Sequence, residues 1–287
     1  MPKSFAAALE LPPRIRNVRV FRCRTCGFYY VRPMPILSEA ELGRLYDQSY
    51  FPEYTAWWAK RRKRDAQRRL SALQRELKAS GEILDIGCGT GIFLSVAATE
   101  GYNVRGLEVS RELAALAAEV SGRAVDIGRL EDLMYEDERF AAVYVDSVLE
   151  HVTDPKAFIQ EVYRILKPGG VAYVVVPNED SFAAKVLGIY RTLRGRNARL
   201  SPFTSPYHVI GFSKCSLARC FEDAGFHVAK ISLTSGHEEI FKYADRIRQP
   251  KWWVLEIIFS VGEVIGMGCS IEGIFRKPMS RHGTGSH

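Results

Sequence analysis

Three carboxylates and two histidines occupy positions where side-chain chemistry could be put to use. Asp85 precedes Gly87 by two residues, and Gly89 and Gly91 follow at alternate positions. Glu108 closes a second apolar run 23 residues after Asp85, and Asp146, followed by Ser147, closes a third. Carboxylates at such ends can accept hydrogen bonds from ligand hydroxyl or ammonium groups. His151 and His208 can exchange a proton near neutral pH, which is what deprotonating a hydroxyl requires. Glu150 and Tyr207 stand beside them as secondary candidates.

These residues need elements to position them. Ile83-Leu84-Asp85-Ile86 reads as a buried strand, the three glycines as a tight turn, and Ile92-Phe93-Leu94 as a helix start. Glycine there clears space for a ligand against the backbone and permits positive φ. The free N–H groups and dipole of the helix start would receive a carboxylate. The dinucleotide fingerprint G-x-G-x-x-G is excluded, because it needs glycine where this chain has Ile92. Asn103-Val104-Arg105-Gly106-Leu107-Glu108 predicts a second strand, whose terminal acid could accept both hydroxyls of a ribose. The run 140–147 predicts another strand, and 158–166 a helix with Phe158, Ile159, Val162, Ile165 and Leu166 on one face. Lys167-Pro168-Gly169-Gly170 predicts its stop, and 171–176 a strand covered on both faces. Alternating strands and helices indicate an α/β chain.

The order Asp-x-Gly-x-Gly-x-Gly at 85–91 resembles motif I of the class I S-adenosylmethionine-dependent methyltransferases. Leu149-Glu150-His151-Val152, Asp154-Pro155, Leu166-Lys167-Pro168-Gly169-Gly170 and Val176-Pro177-Asn178 resemble a subgroup acting on small molecules and sugars. The resemblance covers roughly 80 to 234. It implies a Rossmann-like, doubly wound, seven-stranded sheet whose last strand is antiparallel. The implied cofactor is S-adenosylmethionine, with S-adenosylhomocysteine as product. Asp85, Gly87, Cys88, Gly89, Gly91 and Phe93 would surround it, Glu108 would hold the ribose, and Val109 and Leu130 would pack on adenine. Glu131 or Asp132 would address the exocyclic amine, and Asp146 and Ser147 complete the expected pocket. Cys88 is expected only to be small. The resemblance also implies O-methylation of a sugar, glycolipid or other small-molecule hydroxyl, with His208 and His151 as base candidates.

Organisation follows. Residues 1–80 are expected to be an N-terminal extension with helices, one running from about 53 through 77. The methyltransferase domain would span 81–277, with insertions near 179–211 and 236–262, the first a lid rather than sheet. The remainder, 278–287, is a tail, and Gly283-Thr284-Gly285-Ser286-His287 reads as an expression scar.

Much of the net charge of +7 comes from Lys60-Arg61-Arg62-Lys63-Arg64, Arg68 and Arg69. The run reads as a solvated helix face opposite Leu70, Leu73 and Leu77. A patch for nucleic acid or anionic membrane, or a phosphate clamp, would use the same residues. No RNA-binding motif with interleaved aromatics accompanies it. Asp146-Ser147-Val148-Leu149 also lacks the Asn/Asp-Pro-Pro-aromatic motif of base-methylating enzymes, so nucleic acid is argued against. An RNA or protein methyltransferase, or a non-catalytic cofactor-binding module, stand as alternatives.

Cys23-Arg24-Thr25-Cys26-Gly27 has half the ligands of a structural zinc site, so no metal is expected there. Six scattered cysteines without a visible secretory signal suggest the cytoplasm. Trp252-Trp253-Val254-Leu255-Glu256-Ile257-Ile258-Phe259 carries an acid and suits a packed helix better than a membrane span. Peripheral membrane contact stays open, as does the oligomeric state.

Overall fold

A computed structural model describes residues 18–35, 56–195, 200, 208–234 and 250–279, without side chains for 56–59, 250–253 and 256. The apolar stretch at 5–9, Tyr207, much of both expected insertions, the side chains of Trp252 and Trp253 and the tail beyond 279 lie outside the described residues.

The chain opens with a hairpin, β1 (Arg19–Arg22) and β2 (Tyr29–Arg32), followed by helix α1 (Ala56–Glu76). Then come β3 (Glu82–Ile86), α2 (Ile92–Thr99), β4 (Val104–Glu108), α3 (Arg111–Ser121), β5 (Val125–Ile127) and β6 (Phe140–Asp146). These are followed by α4 (Pro155–Ile165), β7 (Leu166–Pro177), α5 (Phe182–Leu193), β8 (Ile210–Gly211), α6 (Lys214–Asp223), β9 (His227–Thr234), α7 (Pro250–Val264) and β10 (Ser270–Arg276). Seven strands pair in the order β5-β4-β3-β6-β7-β10-β9, with β10 antiparallel to both neighbours. This is the expected doubly wound α/β sheet.

Period-two alternation sorts its side chains, and both faces are apolar. Leu84, Val143, Val145, Ala172, Val174, Val176, Ile271 and Phe275 meet α4 and α6 through Phe158, Ile159, Val162, Leu217 and Phe221. Ile83, Ala142, Tyr144, Val171, Tyr173, Val175 and Ile274 meet α1 and α2 through Leu70, Leu73, Phe93 and Leu94. Fully burying one such leucine contributes about 2 kcal/mol. Asp85, Asp146 and Glu272 share the parity of this second face, so three carboxylates lie on the side covered by α1.

Caps set the helix starts. Asp154 accepts the Ala157 N–H at 3.0 Å with Pro155 in the first turn, and Ser213 and Ser216 form a capping box on α6.

Two expectations need correction. Lys167-Pro168-Gly169-Gly170 does not separate helix from strand, because β7 begins directly at Leu166. Gly169 turns at φ 75 and the pairing with β6 jumps from Leu166 to Val171, so the stretch is a bulge inside β7. Gly169 N–H donates to Lys277 O at 3.0 Å and Lys277 N–H to Gly170 O at 2.9 Å, which ties it to the chain beyond β10. The segment 179–211 is not free of sheet either. Its last two residues, β8, pair with β2 to complete a three-stranded antiparallel sheet, β1-β2-β8. The N-terminal hairpin is thereby tied to the chain beside His208.

Helix α7 packs on α5 through Ala183, Leu255, Ile258 and Phe259. No helix among the described residues is long and apolar enough to cross a membrane.

Candidate active site

The strand order reverses at β3, between β4 and β6, and ligands of open α/β sheets bind beyond such strand ends. The loop leaving β3 has positive φ at Gly87, Gly89 and Gly91. At Gly91 a Cβ would lie 2.8 Å from Ala117 Cα and 2.9 Å from its carbonyl oxygen. The missing side chain therefore lets α3 close on the start of α2. At Gly87 a Cβ would collide with Val148 Cγ2. Both glycines are fixed by protein packing as well as by backbone angle.

Glu108 ties the loop to β4. Its Oε2 accepts the Gly89 N–H at 2.9 Å and its Oε1 the Ser110 N–H at 3.0 Å. Burial raises the Glu108 carboxyl, and N–H donors from Ser110, Gly89 and Val109 oppose that. Asp85 is more extreme. It is 2% exposed, its Oδ2 has no hydrogen-bond partner among the described residues, and burial followed by the charges of Asp146 and Glu108 drives its carboxyl well up.

Asp146 behaves in the opposite way. Arg69 donates to its Oδ2 at 2.7 Å, Arg62 at 3.4 Å and the Tyr144 hydroxyl at 3.2 Å. Burial would raise its carboxyl, yet the Arg69 and Arg62 guanidinium groups and the Ser147 and Tyr144 hydroxyls hold it at about 2. Arg69 also donates to Glu272 at 3.0 Å, and Arg68 grips the same carboxylate through both terminal nitrogens at 2.7 and 2.6 Å. Tyr173 donates to Glu272 as well, at 3.0 Å. The basic run is therefore not a uniformly solvated face. Lys60, Lys63 and Arg64 are exposed, while Arg69 is buried; Arg62, about two helical turns before it, reaches Asp146 and Arg68 reaches Glu272. Arg69, Glu272 and Tyr144 were missed as site neighbours. The signal was a lone acid inside the apolar strand Ser270–Arg276.

The histidines converge. Glu150 and His151 sit in a short 3-10 turn, Leu149–His151, one step beyond β6. His208 precedes β8, and its ring meets that of His151 edge to face with centroids 4.8 Å apart. Glu150 Oε1 lies 4.0 Å from His208 Nε2, and both residues are buried. Val209 N–H donates to Glu150 O at 3.0 Å, and Val31 N–H to Val209 O at 3.0 Å, so backbone bonds hold the two segments and the hairpin together. Before them Ser147 adopts φ 61, unusual for a residue with a side chain, and its hydroxyl donates to Asp146 Oδ1 at 3.1 Å.

The remaining predicted positions divide. Phe93 is buried, stacked on Tyr144 with centroids 3.8 Å apart, and Leu130 is buried in the core beside Leu107 and Val145. Val109 is half-buried, whereas Glu131 and Asp132 are exposed. Cys88 is buried, and burial with the nearby Asp85 and Glu108 charges pushes its thiol far up, in line with an inert small side chain.

Comparison with known proteins agrees with this architecture. The chain is 31% identical over 176 residues to the ubiquinone biosynthesis O-methyltransferase of Xylella fastidiosa strain 9a5c, covering 57% of this chain and 68% of that protein. It is 36% identical over 118 residues to an uncharacterised Methanocaldococcus jannaschii protein, MJ1123, covering 41% of this chain and about half, 54%, of that one. Among solved structures, the [4+2]-cyclase SpnF superposes with a TM-score of 0.57 at 19% identity, covering 86% of this chain and 99% of that one. An S-adenosylmethionine-dependent methyltransferase from Archaeoglobus fulgidus gives 0.53 at 20% identity, covering 75% and 94%. At such identities these two show the fold alone. The family described as a methyltransferase domain matches residues 57–231, more than half of the chain, and the chain belongs to this family of S-adenosylmethionine-dependent methyltransferases.

Proposed function

We propose that the chain methylates a hydroxyl group of a small molecule, with sugars and glycolipids among the acceptors, where the glycine loop and the Glu150–His151–His208 cluster lie at the carboxyl edge of the sheet. The observation that carries the reading is the meeting of His151 and His208 just past the end of β6. The O-methyltransferase name of the Xylella relative supports a hydroxyl acceptor.

The residues present fit the cofactor. Asp85 offers a buried carboxylate oxygen that no described group satisfies, which suits a cationic ligand. Each Glu108 oxygen accepts one backbone N–H and keeps a lone pair for a ribose hydroxyl. When bound, S-adenosylmethionine supplies an electrophilic methyl group. The chain's own part is then positioning, the main source of acceleration in such a displacement. Asp85, Glu108 and the glycine backbone fix one reactant, with Val109, Leu130 and either Glu131 or Asp132 assigned to the adenine side. The histidine cluster receives the acceptor hydroxyl and relieves it of its proton. Arg69 and Arg62 keep Asp146 ionised and bind α1 to the pocket edge.

The alternative of an RNA or protein substrate guided by the basic helix loses support, because Arg62, Arg68 and Arg69 are engaged by Asp146 and Glu272. Free thiols at all six cysteines suit a reducing, cytoplasmic setting.

The test is methyl transfer from S-adenosylmethionine to matched panels of hydroxyl and amine acceptors. The proposal expects a methylated hydroxyl, with turnover reduced about a hundredfold in His208→Ala or His151→Ala. Methylation of amines alone, or full turnover in both variants, would refute it.

A further inference from the structure

Glu150, His151 and His208 each present a metal-binding atom, and the three atoms lie within 4.8 Å of one another. We infer that this cluster binds a divalent first-row transition ion, Zn2+ or a close relative, with an open position that receives the acceptor oxygen. The inference rests on the reading that the acceptor hydroxyl is activated here, and it names the means.

Donor chemistry selects the ion. Two imidazoles and one carboxylate suit zinc and its neighbours, whereas magnesium and calcium favour shells of oxygen. Three protein ligands are the pattern of zinc sites that keep a coordination position for an exogenous oxygen; closed structural sites use four. Metal–ligand bonds of about 2.1 Å place neighbouring ligands roughly 3 to 4 Å apart. The cluster must therefore draw in slightly, by side-chain rotation. The backbone behind it is already fixed, with His151 N–H donating to Val148 O at 2.9 Å and Val209 N–H to Glu150 O at 3.0 Å. The ligands come from two segments 57 residues apart in sequence that meet only in the fold.

Placement fits the role. The 3-10 turn carrying Glu150 and His151 follows Ser147 at the carboxyl edge of the sheet, next to the expected cofactor pocket but outside the glycine loop. Held by these ligands, a divalent cation would lower the pKa of a hydroxyl bound to it, as zinc does for water, and so lessen the need for a protein base. The hydroxyl proton leaves to solvent and the oxygen's lone pair forms the bond to the methyl carbon. The pair from the broken carbon–sulfur bond stays on sulfur, so the ion undergoes no redox change. His151 and His208 then serve as ligands, and their loss removes activation in the same way as loss of a base.

Metal binding separates these roles. The full chain is used without an added histidine tag, in a Cys23→Ser/Cys26→Ser background that removes the hairpin thiol pair. Chelator-treated protein titrated with Co2+ should take up a single ion per chain, with visible ligand-field bands and no thiolate charge-transfer band, and Zn2+ should displace it. His151→Ala and His208→Ala should each weaken Zn2+ binding about tenfold or more. Unchanged far-UV circular dichroism and S-adenosylhomocysteine binding would show that both variants fold. No uptake, or uptake indifferent to both substitutions, would overturn the inference. Because binding is read without acceptor, a chain that binds the ion but methylates only amines would sink the acceptor reading alone. Hydroxyl methylation that persists in metal-free protein would sink the metal alone.

Discussion

Asp85 carries a carboxyl held above its ordinary range, since burial and then the Asp146 and Glu108 charges oppose its ionisation against the pull of Arg62, and a cationic ligand would relieve that opposition. Its folded pKa lies above the ordinary 3.8. As pH rises from that value, the unfolded chain releases a proton that the folded chain still holds, so this group's contribution to stability falls. Asp85→Asn should therefore raise the denaturant midpoint at neutral pH and weaken S-adenosylmethionine binding about tenfold or more, a cost typical of losing a hydrogen bond to a charged group. Chemical denaturation and calorimetry on the same variant check both halves; a variant destabilised at neutral pH would contradict the first. Gly91→Ala should fail more bluntly. Its positive φ and the 2.8 Å approach to Ala117 leave no room for a methyl group, so soluble, cofactor-binding protein should not be recovered. At this scale the sequence was informative about identity more than reason. Asp85, Glu108 and the glycines announced a ligand loop, but the packing of Gly87 on Val148 and Gly91 on Ala117 depends on residues far along the chain.

At the scale of elements, α1 is held by two devices, an apolar stripe and a buried charge network. Arg69, 3% exposed, bridges Asp146 and Glu272. Arg69→Ala leaves one carboxylate with its main partner gone and should cost about 3 kcal/mol, whereas exposed Arg64→Ala should stay within about 0.5 kcal/mol of wild type. Urea unfolding distinguishes them, and equal effects would return the whole run to a solvated face. The apolar half was legible at Leu70 and Leu73, which are buried at helical spacing, while Leu77 falls just past the helix and is half-buried. The charged half was not, because a run of arginines carries no mark of which members have partners two hundred residues away. The length of β7 was hidden for a related reason. Pro168, Gly169 and Gly170 signal a turn and do bulge at Gly169, and pairing near Lys277 carries the strand through.

Across the whole molecule, the alternation of apolar strands and helices conveyed an α/β chain, and the resemblance of 85–91 to motif I implied the doubly wound sheet and its antiparallel last strand. The small sheet at its side was not legible, because β8 is two residues long and has a partner at the opposite end of the chain. That sheet brings the hairpin to the backbone beside His208 and so couples the extension to the candidate site. Ligand linkage gives a global prediction. At a hundredfold excess over its dissociation constant, a cofactor adds about 2.7 kcal/mol, and the melting temperature should rise by roughly 5 to 10 °C in a chain of this size. Asp85→Asn, at about tenfold weaker binding, should lose about half of that rise.

The most direct measurement is calorimetric titration of the chain with S-adenosylmethionine and S-adenosylhomocysteine, beside NAD. The pocket described here predicts saturable binding of both adenosyl ligands, lost in Asp85→Ala and in Glu108→Ala, and none of NAD. Binding of NAD alone, or adenosyl binding untouched by both substitutions, would contradict it.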